Sequence, residues 1–142
     1  MAVATYSPLR VTVVIGGKII DGFADDTFIT ATRDEDMFQK VIGTDGKGAR
    51  AFTANFGGSV TITLLHTSAS NSILQAFATL DEQNQTGAVP ILIRDNNSGT
   101  TLITAVTAWV KKIPDVEFGR SISNRVWVMD SENLQITVGS NS

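Results

Sequence analysis

The chain of 142 residues contains no cysteine, three prolines and a single histidine, His66. Without cysteine there is no disulfide framework, no thiolate nucleophile and no thiolate zinc site, whatever the redox compartment. One histidine cannot supply an HxxxH or HxH ligand pair, and no G-x-S-x-G elbow is present to give it a nucleophilic partner. His66 reads instead as a buried or half-buried structural side chain at the end of a strand. Apolar runs stay far short of the ~20 residues that span a bilayer as a helix. The opening MAVATYSPLR lacks the basic region and apolar core of a signal peptide. The expectation is a protein with no catalytic residues, no metal, no cofactor and no membrane contact.

Charge is scarce as well. Charged residues make up 18% of the chain and the formal net charge is −3, against the ~25% charged residues usual in globular domains. No Lys/Arg-rich face is visible, which argues against tight binding of nucleic acid. A mildly acidic surface is still compatible with lining a passage for DNA, because like charge discourages sticking. Aromatics amount to 7% and do not interleave with basic residues as a base-stacking surface requires. Threonine and serine fill the polar positions instead. Composition alone fits both an ordinary β-protein, in which threonine is a good strand residue, and a surface that meets copies of itself.

What the chain does have is strand pattern. Leu9, Val11, Val13 and Ile15 alternate on one face, and Gly16-Gly17 separates them from a second run at 18–23, the signature of a two-residue hairpin. Further strands are predicted at 28–33, 60–66, 89–95, 101–110, 125–129 and 134–138, with Pro90 placing its strand's start or edge. Thr67 to Ser72 is rich in N-capping residues, and Ile73, Leu74, Phe77 and Leu80 then recur at helical spacing, which predicts one helix over about 69–83. Asn96-Asn97-Ser98-Gly99 reads as a turn and the Ser/Asn-rich end, 140–142, as frayed. Strands 101–110 and 125–129 lack a polar face, so the second face is covered either by the helix and an opposing sheet or by a neighbouring subunit. Seven or eight strands and one helix, with no repeat or linker, predict a single domain over 1–142 of α+β, mainly β class: a sheet sandwich or barrel capped by the helix.

The stretch 37–58 departs from this pattern. Five glycines punctuate it, and it reads as a long loop or as a loop with a hairpin folded into it. Its apolar residues argue against disorder, so it is expected to order by packing on something. Gly43-Thr-Asp-Gly-Lys-Gly48 within it fails as a phosphate loop, since the lysine is followed by glycine and no helix comes next. Asp25-Asp26 and Asp34-Glu35-Asp36 lack the EF-hand spacing and read as solvated turns or as charges facing a lumen.

The order of these features resembles the tail tube proteins of contractile-tailed bacteriophages. The residues that carry the resemblance are Gly16-Gly17 with Gly22-Phe23-Ala24, then Asp36-Met37-Phe38, Val41 to Gly46 and Arg50. Gly57 to Leu64 follows, and Ser68, Ser70, Asn71 and Leu74 enter the helix. The resemblance implies two packed antiparallel sheets with one flanking α-helix, a fold shared with type VI secretion tube proteins. It further implies rings, hexameric in this family, stacked into a tube for genome delivery. Sheath, baseplate and tape measure proteins are the implied partners, and DNA passes through the lumen without specific binding. Such a protein resides in the virion tail and is assembled in the host cytoplasm. The long 37–58 loop would touch the neighbouring subunit or ring through Phe38, Val41, Ile42, Asp45, Lys47, Arg50, Phe52 and Phe56. Asp25, Asp26, Asp34 and Glu35 would face the lumen. A tailocin or type VI-like tube subunit is the alternative, followed by a small-molecule-binding β-barrel, against which the low aromatic content counts.

Overall fold

The computed structural model describes residues 3, 5–97 and 99–139. Ser98, within the predicted turn, and 140–142, read above as frayed, lie outside the described residues. The elements are β1 (Val11–Ile15), β2 (Lys18–Ile19), β3 (Ile29–Arg33), β4 (Phe38–Ile42), β5 (Gly48–Phe52), β6 (Gly58–Leu65), α1 (Ser70–Asn84), β7 (Val89–Asp95), β8 (Leu102–Lys112), β9 (Asn124–Ser131) and β10 (Leu134–Thr137). The β1–β2 connection is the glycine turn, with Ile15 opposite Lys18 and φ of +59° and +79° at Gly16 and Gly17. Positive φ at both central residues gives the turn the twist that flanking strands share. β2 is shorter than the 18–23 predicted. Residues 22–24 leave that ribbon and pair with β6 instead, Ala24 N–H donating to Thr63 O and Leu65 N–H to Gly22 O.

The named strand pairs are all antiparallel and form one eight-stranded sheet in the order β2-β1-β7-β8-β9-β6-β3, with β10 beside β8, separate from the β4–β5 ribbon. The first half of β8, Leu102 to Ala105, pairs with β10, while Ala108 to Lys112 pairs with β9. The arms on either side of β8 share a single core: Val13, Ile15, Ile91 and Ile93 of β1 and β7, with Ala105 of β8, cluster with Val60, Ile62, Leu64, Trp127 and Met129 of β6 and β9. This is the predicted α+β, mainly β architecture, with its two layers formed by the arms of one continuous sheet. β6 shows the alternation without a break, every second residue from Gly58 to Leu64 being buried. Pro90 sits near the start of β7, where the register with β8 shifts between Val89 and Ile91, so its missing N–H interrupts no ladder bond.

α1 covers one end of this core through Ser70, Leu74 and Ala78, one residue per turn. Ile73 and Phe77 pack beside them, whereas Leu80, placed on the buried stripe by its spacing, is 42% exposed. The small side chains at 70 and 78 bring the helix axis close to the sheet, and the contact line follows them instead of the larger residue. Leu9, placed on the inner face by alternation, is 93% exposed. Pro8–Arg10 forms a 3-10 turn that rotates it outward before β1 begins. The apolar residues of β8 are not all covered within the chain: Val106 is 86% exposed, whereas Val110 packs against the core.

Candidate assembly surface

The stretch 37–58 carries the second hairpin of the chain. β4 and β5 pair in full register from Phe38 opposite Phe52 to Ile42 opposite Gly48, and neither is hydrogen-bonded to the main sheet. The glycine-rich segment that fails as a phosphate loop is the turn of this hairpin. Gly43 N–H donates to Lys47 O at 2.8 Å, and the Asp45 carboxylate accepts the Lys47 N–H at 3.1 Å. Asp45 thus shapes the tip, an Asx turn made by a side chain that binds the backbone two residues on. Strand alternation puts Phe38, Lys40, Ile42, Arg50 and Phe52 on one face and Gln39, Val41, Ala49 and Ala51 on the other. The apolar residues singled out from the sequence are therefore divided between both faces, with Val41 opposite the rest.

Both faces are open. Val41 is 68%, Ile42 57% and Phe52 56% exposed, and Phe38 is the one half-buried residue of the two strands. On the aromatic face the rings of Phe38 and Phe52 lie 5.2 Å apart and those of Phe52 and Phe56 5.8 Å apart. The Arg50 guanidinium lies over Phe38, 4.1 Å from the ring centroid, a cation–π contact worth ~0.5–1 kcal/mol at an exposed site. An isolated two-stranded hairpin is at best marginal in water, and these contacts do not close a core around it.

The root of the hairpin is built tightly. Phe56 O accepts from Leu134 N–H, and Arg33 Nε donates to Leu134 O at 3.0 Å while its guanidinium lies over Phe56. Arg33, which sequence pattern did not single out, so ties β3, the hairpin root and β10 together. Gly58 is buried between β3 and β9, opposite Arg33 on one side and Ser131 on the other. A Cβ there would stand 2.5 Å from Thr32 O and 2.7 Å from Leu134 Cδ2.

The four acids read as lumenal do not form one patch. Asp25 and Asp26 lie at the bend before β3, whereas Asp34 and Glu35 follow it at the hairpin root, so β3 separates the pairs. All four are exposed. His66 is half-buried and accepts the Ser123 N–H on Nδ1 at 3.0 Å, which ties the end of β6 to the segment before β9. It also lines an open groove of about 740 Å³ between α1 and residues 113–116, with Asn71, Leu80, Arg125 and Trp127. In that wall Trp127 Nε1–H donates to Asn71 Oδ1 at 2.9 Å. No group of three or more metal-ligating side chains is present among the described residues.

The family model of the bacteriophage PhiTE tail tube protein matches residues 3–139. The chain belongs to this tail tube family. A structural protein of Pseudomonas phage KPP10, ORF10, is 32% identical over 146 residues that cover 97% of this chain and 84% of that protein. Among solved structures, the sheath/tube terminator of the extracellular contractile injection system PVC in its extended state has a TM-score of 0.67. It is 13% identical and covers 97% of this chain and all of its own. The sheath-tube complex of the same system in its extended state gives 0.62 at 12% identity, covering 94% of this chain and 92% of its own. At such identities the likeness establishes the tube fold. Family membership makes the chain a structural component of a phage tail, and the hairpin is then an exposed extension of a tube subunit.

Proposed function

We propose that the chain is a non-catalytic tube subunit that closes into hexameric rings and stacks them into the tail tube through which the phage genome leaves. The observation that carries this reading is the β4–β5 hairpin, which presents Val41, Ile42 and Phe52 to solvent on both faces of a two-stranded ribbon. Exposed apolar surface of this kind marks an interaction site. The contact residues are Phe38, Val41, Ile42, Lys47, Arg50, Phe52 and Phe56, with Asp45 setting the shape of the tip. The hairpin and its root, 37–58, extend one domain that spans the chain. Ring closure would also consume the free edges of β2 and β3, which otherwise offer unpaired backbone groups. Asp34 and Glu35 are assigned to the lumen, where negative charge lets DNA pass without sticking.

The partners in this reading are a sheath outside the tube, a baseplate from which it grows and a tape measure protein within. Assembly takes place in the host cytoplasm. Likeness to tubes of contractile systems supports a contractile tail. The same likeness favours one second reading, a tube subunit of a tailocin or other injection machine, and particles purified with this subunit separate the two by whether they carry DNA. Negative-stain electron microscopy of the concentrated protein, with light scattering on the same sample, tests assembly. Rings or tubes with a central hole are expected, and a monodisperse monomer at the highest concentrations reached refutes the reading.

A further inference from the structure

One surface of the chain matches the hairpin in both chemistry and position. A groove of about 550 Å³ is lined by Val11, Phe28, Ile29, Ile93 and Ile103, with Asp25, Asp26 and Asp95 among its other wall residues and no lysine or arginine. Asp95 is held in place by Asn97, which donates its backbone N–H at 2.9 Å and its side-chain amide at 2.7 Å. The hairpin offers the complement: Phe38, Ile42 and Phe52 on one face together with Lys40 and Arg50, and Lys47 at the tip. Lys40 and Arg50 are direct cross-strand partners. Like charges placed opposite each other weaken an isolated ribbon, so an anionic surface over that face relieves a conflict that the single chain contains.

The two surfaces lie at opposite ends of β3. Ile29, its first residue, lines the groove, and Arg33, its last, anchors the hairpin root. With five residues per strand, the hairpin projects roughly 16 Å from its root. No residue of either hairpin strand lines the groove of its own chain. A contact between the two is heterologous and repeats from copy to copy.

We propose that the β4–β5 hairpin of one copy docks, by its Phe38/Lys40/Ile42/Arg50/Phe52 face, in the acid-rimmed apolar groove of the next. This rests on the assembly reading above and names the surface that receives the hairpin. It assigns Asp25 and Asp26 to that contact instead of to the lumen.

The test is charge reversal with a swap. Lys40→Glu with Arg50→Glu, and separately Asp25→Lys with Asp26→Lys, should each lower the fraction of protein pelleted as tubes by about tenfold or more, because like-charge juxtaposition across an interface is strongly unfavourable. The chain carrying all four changes should pellet again. Circular dichroism melts of the same variants check that each remains folded. Since the chain lacks cysteine, a mixture of Ile42→Cys and Thr27→Cys proteins reads the contact directly, as an oxidised dimer that an Ile42→Cys and Glu82→Cys mixture does not form. If wild type assembles and the reversals assemble equally well, or the helix control cross-links as readily, the docking is overturned while the assembly reading stands. If wild type forms nothing larger than a monomer, the assembly reading falls and takes the docking with it.

Discussion

Replacing Gly58 by alanine tests how the hairpin root is held. The new methyl group would stand 2.5 Å from Thr32 O, 2.7 Å from Leu134 Cδ2 and 3.2 Å from Arg33 Cα. Two of these atoms are backbone of β3, which is paired to β6 at Gly58 itself, so relief requires β3 to move as a strand. Overpacking of this kind costs about 1–3 kcal/mol, and the lower entropy of the unfolded alanine chain returns about 0.4–1 kcal/mol. The middle of these ranges is a net loss of about 1.3 kcal/mol. With an unfolding entropy of about 2.1 cal/mol/K per residue over 142 residues, Tm should fall by about 4 °C. Gly57 supplies the internal control. A Cβ there meets Asn55 Oδ1, Asp34 Oδ2 and Ser131 O at 3.0–3.1 Å, and two of those three are side-chain ends that can rotate away. Gly57→Ala should therefore lose less than half as much. Thermal melts followed by circular dichroism measure both. The reasoning is refuted if Gly58→Ala melts within about 2 °C of wild type, or if Gly57→Ala is the more damaging change.

Three further outcomes follow from other parts of the structure. Ile42→Ser, on an exposed site with no ring contact, should leave the monomer's melting temperature within about 2 °C of wild type. The same change should raise the critical concentration for tube formation about tenfold, since roughly half of an isoleucine's burial energy of 1.5–3 kcal/mol remains to be gained in the assembly; an unchanged critical concentration in sedimentation assays would count against the contact face. Trp127→Phe removes the N–H that Asn71 accepts and should cost about 1–3 kcal/mol in urea unfolding. A double-mutant cycle with Asn71→Ala should return a coupling near 1 kcal/mol, and additive losses would show that the bond contributes nothing. Arg33→Lys should destabilise by about 1–2 kcal/mol, because lysine lacks the planar fork that reaches Leu134 O while stacking on Phe56; a lysine variant equal to wild type in melting experiments contradicts that role.

Local chemistry settled a large part of this protein before any fold was known. Gly16-Gly17 dictated a two-residue turn, and period-2 alternation in Val60, Ile62 and Leu64 dictated which side of β6 is buried. The Ser-rich entry and the spacing of Leu74 marked a helix within one residue of its bounds at each end, Ser70–Asn84 against 69–83. The residues that carry the family resemblance pointed to the tail tube fold. These features depend on neighbours a few residues away, so the sequence carries them directly. Which strands pair does not depend on neighbours. Alternation says which face of a strand is apolar, but β1 pairs with β7 and β6 with β9 because those pairings let the two arms of one sheet close a single core. Only that closure left Leu80 outside and drew Ala78 inside. It also brought Arg33 to the carbonyl of Leu134, 101 residues along the chain, and gathered β1, β3, β7 and β8 around an acid-rimmed groove that no single segment of the sequence contains.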